Sequence, residues 1–157
     1  SARASGKFAC PALKCSLAEL GEVTVELVGS RYSAASRTWN TLLDDAHYLG
    51  RGPLCGAQLR YLIRSERHGV VGALAFSSAA PRLRARDEWI GWSRRARQAN
   101  LARVVGNTRF AIPSTVQVPN LASHVLSRAA ARLADELRVP LGSAVGFKVR
   151  FADTTRP

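Results

Sequence analysis

The sequence predicts an α/β (α+β) fold, a mixed, mostly antiparallel sheet with helices on its faces. Three observations predict it. Residues 59–76 read as an antiparallel hairpin of two apolar strands. Two stretches of 3.6-residue periodicity flank that hairpin. The order strand, helix, strand, strand, irregular helical region, strand, helix inserts a hairpin into an alternating α/β order. The 157 residues suffice for one domain with its own core. A content of 46% hydrophobic and 22% charged residues is that of a globular chain.

The elements follow in order. Residues 1–12 are small and polar and are expected to form a flexible lead-in. Val23-Thr-Val-Glu-Leu-Val28 alternates as a strand and ends at Gly29-Ser30. Ser33 is placed to cap a helix whose apolar positions are Ala35, Trp39, Leu42 and Ala46, and Gly50-Arg-Gly-Pro53 breaks it. Leu59-Arg-Tyr-Leu-Ile-Arg64 is the next strand and His68-Gly69 its turn. Val70-Val-Gly-Ala-Leu-Ala-Phe76 is apolar throughout, which predicts a strand buried on both faces. After Pro81, Ser93 is expected to cap a helix to Val105, ended by Gly106-Asn107. Arg94, Arg97, Leu101 and Val104 share one face of that helix. An arginine on an otherwise apolar stripe is expected to be enclosed and paired, with Asp87 as its candidate partner. Thr108–Ile112 reads as a short strand. Asn120, behind Pro119, is expected to cap a helix carrying Leu121, Val125, Ala129, Leu133 and Leu137, which Pro140 and Gly142 end.

The net charge of +12 suggests an anionic partner, nucleic acid first. Twenty of the 23 basic residues are arginine, a skew that a GC-rich genome produces without selection for binding. Position says more than the total. Residues 1–50 are neutral, whereas in 82–109 eight arginines face only Asp87 and Glu88, leaving +6. A solvated arginine-rich face and a nucleic-acid contact both account for such a block.

Cys10, Cys15 and Cys55 lack the spacing and the neighbouring histidines of structural zinc, and their odd number without a secretory signal reads as reduced thiols. No apolar run approaches the roughly 20 residues of a membrane span. No metal site and a cytoplasmic location are therefore expected. Generic catalytic signatures are missing: no G-x-S-x-G, no P-loop and no H-E-x-x-H occurs. His47 and Asp87 are the catalytic candidates, able to do general acid–base work only if the fold brings them together. His47, His68 and His124 are too scattered for metal ligation.

The block Arg86-Asp-x-Trp-Ile-Gly-Trp92 is the best candidate site. A nucleic-acid-binding set of Arg82, Arg84, Arg86, Trp89, Trp92, Arg94, Arg95, Arg97 and Arg109 would join a stacking platform to an arginine cluster, as single-stranded nucleic acid requires. The alternative is that Trp89 and Trp92 fill the core while Asp87 anchors Arg86 or Arg94.

Ordered phrases carry a family resemblance. Trp39-x2-Leu42, His47-Tyr-Leu-Gly50, Gly56-x2-Leu59-Arg-Tyr-Leu-Ile63 and Gly72-Ala-Leu-Ala-Phe76 are followed by Arg86-Asp-x-Trp-Ile-Gly-Trp-Ser93. Asn100-Leu101-x2-Val104-Val105, Asn107-x-Arg109-Phe110 and Val118-Pro-Asn-Leu-Ala-Ser-His-Val-Leu126 complete the series. Over residues 13–137 the chain resembles the bacterial DruA-like family. That resemblance implies a role in a Druantia anti-phage defence locus or a mobile element, DNA as a partner, and helicase or transposase partner proteins. The family's closing strand, its G-T-x-Y-x-A-A-N-W segment and its G-x-T-x-G-R have no counterpart in 138–157. A divergent tail, and a truncated or decayed copy, are therefore expected.

The chain is also similar, more weakly, to GNAT-type acyltransferases, whose core runs strand, helices, three antiparallel strands, helix. That similarity implies acyl-CoA bound by Asn120, Ala122 and Ser123 before the last helix. No glycine stands there, and Leu121 is expected to crowd a phosphate.

Overall fold

The structure, a computed structural model, describes residues 10–47, 50, 52 and 58–136. Leu13–Lys14 (β1) is a two-residue strand, followed by a single 3₁₀ turn at Ala18–Leu20. Val23–Leu27 (β2) alternates buried and exposed as its sequence predicts. Ala34–Ala46 (α1) begins at Ser33, whose hydroxyl accepts the Ser36 N–H at 3.1 Å. Gln58–Ser65 (β3) and Gly69–Ser78 (β4) form the hairpin. Arg84–Ile90 (α2) and Arg94–Asn100 (α3) follow, then a 3₁₀ turn at Leu101–Arg103, Val105–Ala111 (β5), Val116–Gln117 (β6) and Leu121–Glu136 (α4).

Strands β2-β3-β4-β5 make one antiparallel sheet in that order, and β1 pairs β6 in parallel. The sheet is covered on both faces. On one, Leu121, Val125, Ala129 and Leu133 of α4 pack over Val23, Val25, Tyr61, Ile63, Leu74 and Phe76. On the other, Trp39, Leu42 and Leu43 of α1 pack over Leu62, Ala73, Ala75 and Ala111. Strand β4 is therefore central and buried on both sides, as its unbroken apolar run demands. Trp39 is sunk to 2% exposure and donates its indole N–H to the Leu74 carbonyl at 3.1 Å, which meets the polar need of a buried tryptophan. Gly72 permits this packing density. A Cβ there would lie 2.7 Å from the Ala111 carbonyl oxygen and 2.8 Å from Ile63 Cδ1.

Three expectations are corrected. The helix from Ser93 does not reach Val105: after the 3₁₀ turn, Val105 pairs with Ser78. Sheet pairing prevails there over the helix pattern, and the β-branched pair Val104-Val105 favours it. Asn120 does not cap α4 with its side chain. The Leu121 N–H donates to the Val118 carbonyl at 3.3 Å across Pro119 and Asn120, whose φ is 63°. That is the residue pattern of a type II turn, proline first and a residue tolerant of positive φ second. Ala46 is exposed, with Asp44 and Asp45, so the last turn of α1 has run past the surface it covers, and Leu43 supplies the contact instead. Leu137, Pro140, Gly142, Cys55 and the stretch 138–157 lie outside the described residues.

Candidate nucleic-acid interface

Between β4 and β5 the chain leaves the sheet as the two short helices α2 and α3. Helix α3 buries none of its residues and α2 buries only Arg86. Hydrophobic packing therefore does not hold this arm together. A polar knot does. The Asp87 carboxylate accepts the Arg86 Nε–H at 2.9 Å, the Arg86 Nη2–H at 2.8 Å and the Trp92 indole N–H at 2.9 Å on one oxygen. Its other oxygen accepts the Leu83 N–H at 3.2 Å and lies 3.5 Å from Arg97 Nη1. Arg86 donates its remaining arm to the Ala80 carbonyl at 2.7 Å and stands over the Trp92 ring, 5.6 Å from its centroid.

Local sequence explains why these groups meet. Gly91, at φ 69°, ends α2 in the left-handed conformation, turning the chain so that Trp92 folds back on Asp87. Ser93 then caps α3 by accepting the Ala96 N–H at 3.1 Å, and the Arg97 side chain returns to the same carboxylate. Burial works against the charge of Asp87, but hydrogen bonds from Arg86, Trp92 and the Leu83 N–H outweigh it and hold the carboxyl below its ordinary range.

The predicted set is thereby divided. Arg86 is 6% exposed, and Trp92 and Arg97 are mostly enclosed, so these three build the arm. Arg109 lies on β5, buried, and donates to the carbonyls of Gly50 at 3.0 Å and Thr108 at 2.7 Å. Trp89 on α2 is 82% exposed, and Leu83 just before that helix and Ile90 at its end are exposed as well. Arg82, Arg94 and Arg95 are exposed and form no ion pair among the described residues. Arg84 pairs with Glu88 at 2.6 Å across one helical turn, but both stand in solvent, where such a pair is weak. Sequence reasoning left out Arg103, which is likewise exposed. Its place among the eight arginines of 82–109 was the available signal.

Of the catalytic candidates, Asp87 lies in the knot on α2 and His47 at the end of α1, where burial and then the charge of Arg109 push the His47 pKa down. His47 ends α1, its N–H bonded to the Leu43 carbonyl at 3.0 Å. At the start of α4, Asn120 and Ser123 are exposed and Ala122 is half-buried, while Leu121 points into the core at 2% exposure.

A protein-family model described as Druantia protein DruA matches residues 13–141. The chain belongs to the DruA family. No curated protein and no solved structure matches it. The matched span of this DruA-family chain takes in the six strands and four helices of the described residues and the Asp87 knot. Membership associates the chain with Druantia systems. Among its described residues no helix is long and apolar enough to cross a membrane.

Proposed function

We propose that this DruA-family chain serves antiviral defence by binding DNA through the α2–α3 arm, with a preference for unpaired bases. The observation that carries the reading is Trp89. A tryptophan 82% exposed on a helix fixed by a polar knot offers an aromatic face with no part in the core. Arg82, Arg94 and Arg95 on the same arm, together with Arg103 just beyond it, supply the charge that tracks a phosphate backbone. Stacking on Trp89 does not depend on base identity, so the arm reads single-strandedness and charge rather than sequence.

A salt series tests it. Affinity for a single-stranded oligonucleotide is expected to fall steeply with salt, and Arg82→Ala, Arg94→Ala and Arg95→Ala to lower the salt slope by about one each. A triple variant with unchanged affinity and slope would remove the arm from the interface.

A second reading, acyl-CoA binding at the start of α4, is favoured by one observation. Leu121 turns into the core, leaving the exposed turn at Asn120 and Ser123 uncrowded. It requires that coenzyme A raise the melting temperature. A zero shift at large excess eliminates it.

A further inference from the structure

Several stretches of chain converge at the end of the sheet away from the β3–β4 turn. Strand β2 leaves the sheet after Leu27, which pairs with Tyr61, and β3 starts at Gln58 opposite Ser77. Strand β4 leaves at Ser78 for the arm, and the chain returns at Val105, paired with Ser78. Helix α1 starts at that end too, because Arg60 donates to the hydroxyl of Ser36 in its first turn at 3.0 Å. Arg60 stands opposite Ala75, three residues before Ser78 and so about 10 Å from it along the strand. The β2–α1 connection and the root of the arm therefore share one end of the sheet.

That connection carries a second exposed aromatic ring, Tyr32, which is 74% exposed and belongs to neither core cluster. A tight turn fixes it. The Ser33 N–H and hydroxyl donate to the Ser30 carbonyl at 3.3 and 2.8 Å, and the Tyr32 N–H donates to the Ser30 hydroxyl at 3.2 Å. Arg37, in α1, donates to the Tyr32 carbonyl at 3.0 Å. Arg31 lies over one face of the ring, 5.0 Å from its centroid. Both arginines are exposed and form no ion pair among the described residues. The charge around them has one sign. Residues 27–37, 58–61 and 74–82 carry Arg31, Arg37, Arg60 and Arg82 and no aspartate or glutamate. Glu26, the carboxylate next to the first of these stretches, is paired with Arg64. The neutrality of residues 1–50 as a whole conceals this local excess.

Given DNA binding by the arm, on which this rests, we infer that Tyr32, Arg31 and Arg37 form a second stacking platform of the same interface, taking another base of the single strand that Trp89 engages. A base stacks on the ring and continues the Arg31–Tyr32 stack, while Arg37 meets a neighbouring phosphate. Stacking accepts any base, so this platform lengthens the bound strand without adding sequence preference.

The test is an oligothymidine of about 15 nucleotides, a length within known single-strand footprints, titrated into the full chain and read as both affinity and tryptophan quenching. Tyr32→Ala is expected to bind roughly tenfold more weakly. Its quenching of Trp89 at saturation and its melting temperature should stay unchanged, since the residue lies outside the core. Tyr32→Phe should bind as the wild type does, because stacking needs the ring and not the hydroxyl. Arg31→Gln and Arg37→Gln should each lower the salt slope by about one. Undiminished affinity in Tyr32→Ala overturns the second platform and leaves the arm in place. A loss in Tyr32→Phe as large as that in Tyr32→Ala also overturns it, since the hydroxyl is then the contact. Weakened binding in Tyr32→Ala beside full affinity in Trp89→Ala removes the arm instead and keeps Tyr32 as the contact. A wild type that does not bind overturns both.

Discussion

Asp87 shows how one side chain stands in for a missing core. It is the common acceptor for Arg86, Trp92, Arg97 and the Leu83 N–H, and without it Arg86 keeps its charge in a nearly closed site. Removing one partner of such a group destabilises more than the pair was worth, because the other is left uncompensated. Asp87→Asn should therefore loosen the arm and lower the melting temperature by several degrees, measured by calorimetry. The same group sets a pH dependence. Its folded pKa is depressed, so its contribution is complete above the ordinary aspartate value of about 4 and is lost as pH falls below it toward the folded value. Acid should release the arm in the wild type, and Asp87→Asn should abolish that transition. Part of this knot was legible in the sequence, where Asp87 is a candidate partner for Arg94 or Arg97 from stripe position and for Arg86 or Arg94 from the block around it. That Arg86 and Arg97 both reach it and Arg94 does not depends on the turn at Gly91, a tertiary detail that spacing does not encode.

At the level of elements, the hairpin, the central strand and the two long helices follow directly from periodicity. Trp39, Leu42, Val125, Ala129 and Leu133 all fall on their predicted buried faces. What escaped was of two kinds. Strands β1 and β6 are two residues each, too short for any alternation to register, and they pair across about a hundred residues of chain. The start of β5 and the turn at Asn120 carry helix signals in sequence that tertiary pairing and a proline–asparagine turn override. The α2–α3 arm was legible as irregular and helical, but its separation from the core was not, since its arginines and tryptophans also fit enclosed positions. Its energetics differ from those of the sheet. With only Arg86 buried, its amides should exchange with solvent through local opening, long before those of β3 and β4. Hydrogen exchange resolved by segment checks this, and equal protection in both would show that the arm belongs to the core.

The molecule as a whole divides its labour. A four-stranded sheet sandwiched between α1 and α4 carries stability, and the arm inserted between β4 and β5 carries charge and an exposed indole. Half of the net +12 lies in residues 82–109, where the exposed arginines of the arm and Arg103 form a surface cluster and Arg109 is enclosed on the α1 face of the sheet. The arm is the central claim, and intrinsic fluorescence tests it most directly. The chain has three tryptophans, of which Trp39 is buried and Trp92 mostly enclosed, so quenching by a single-stranded oligonucleotide reports on Trp89. Quenching is expected in the wild type. Trp89→Ala should lose it and bind roughly tenfold more weakly, with an unchanged melting temperature. Tight binding without quenching, or undiminished affinity in Trp89→Ala, would contradict the account.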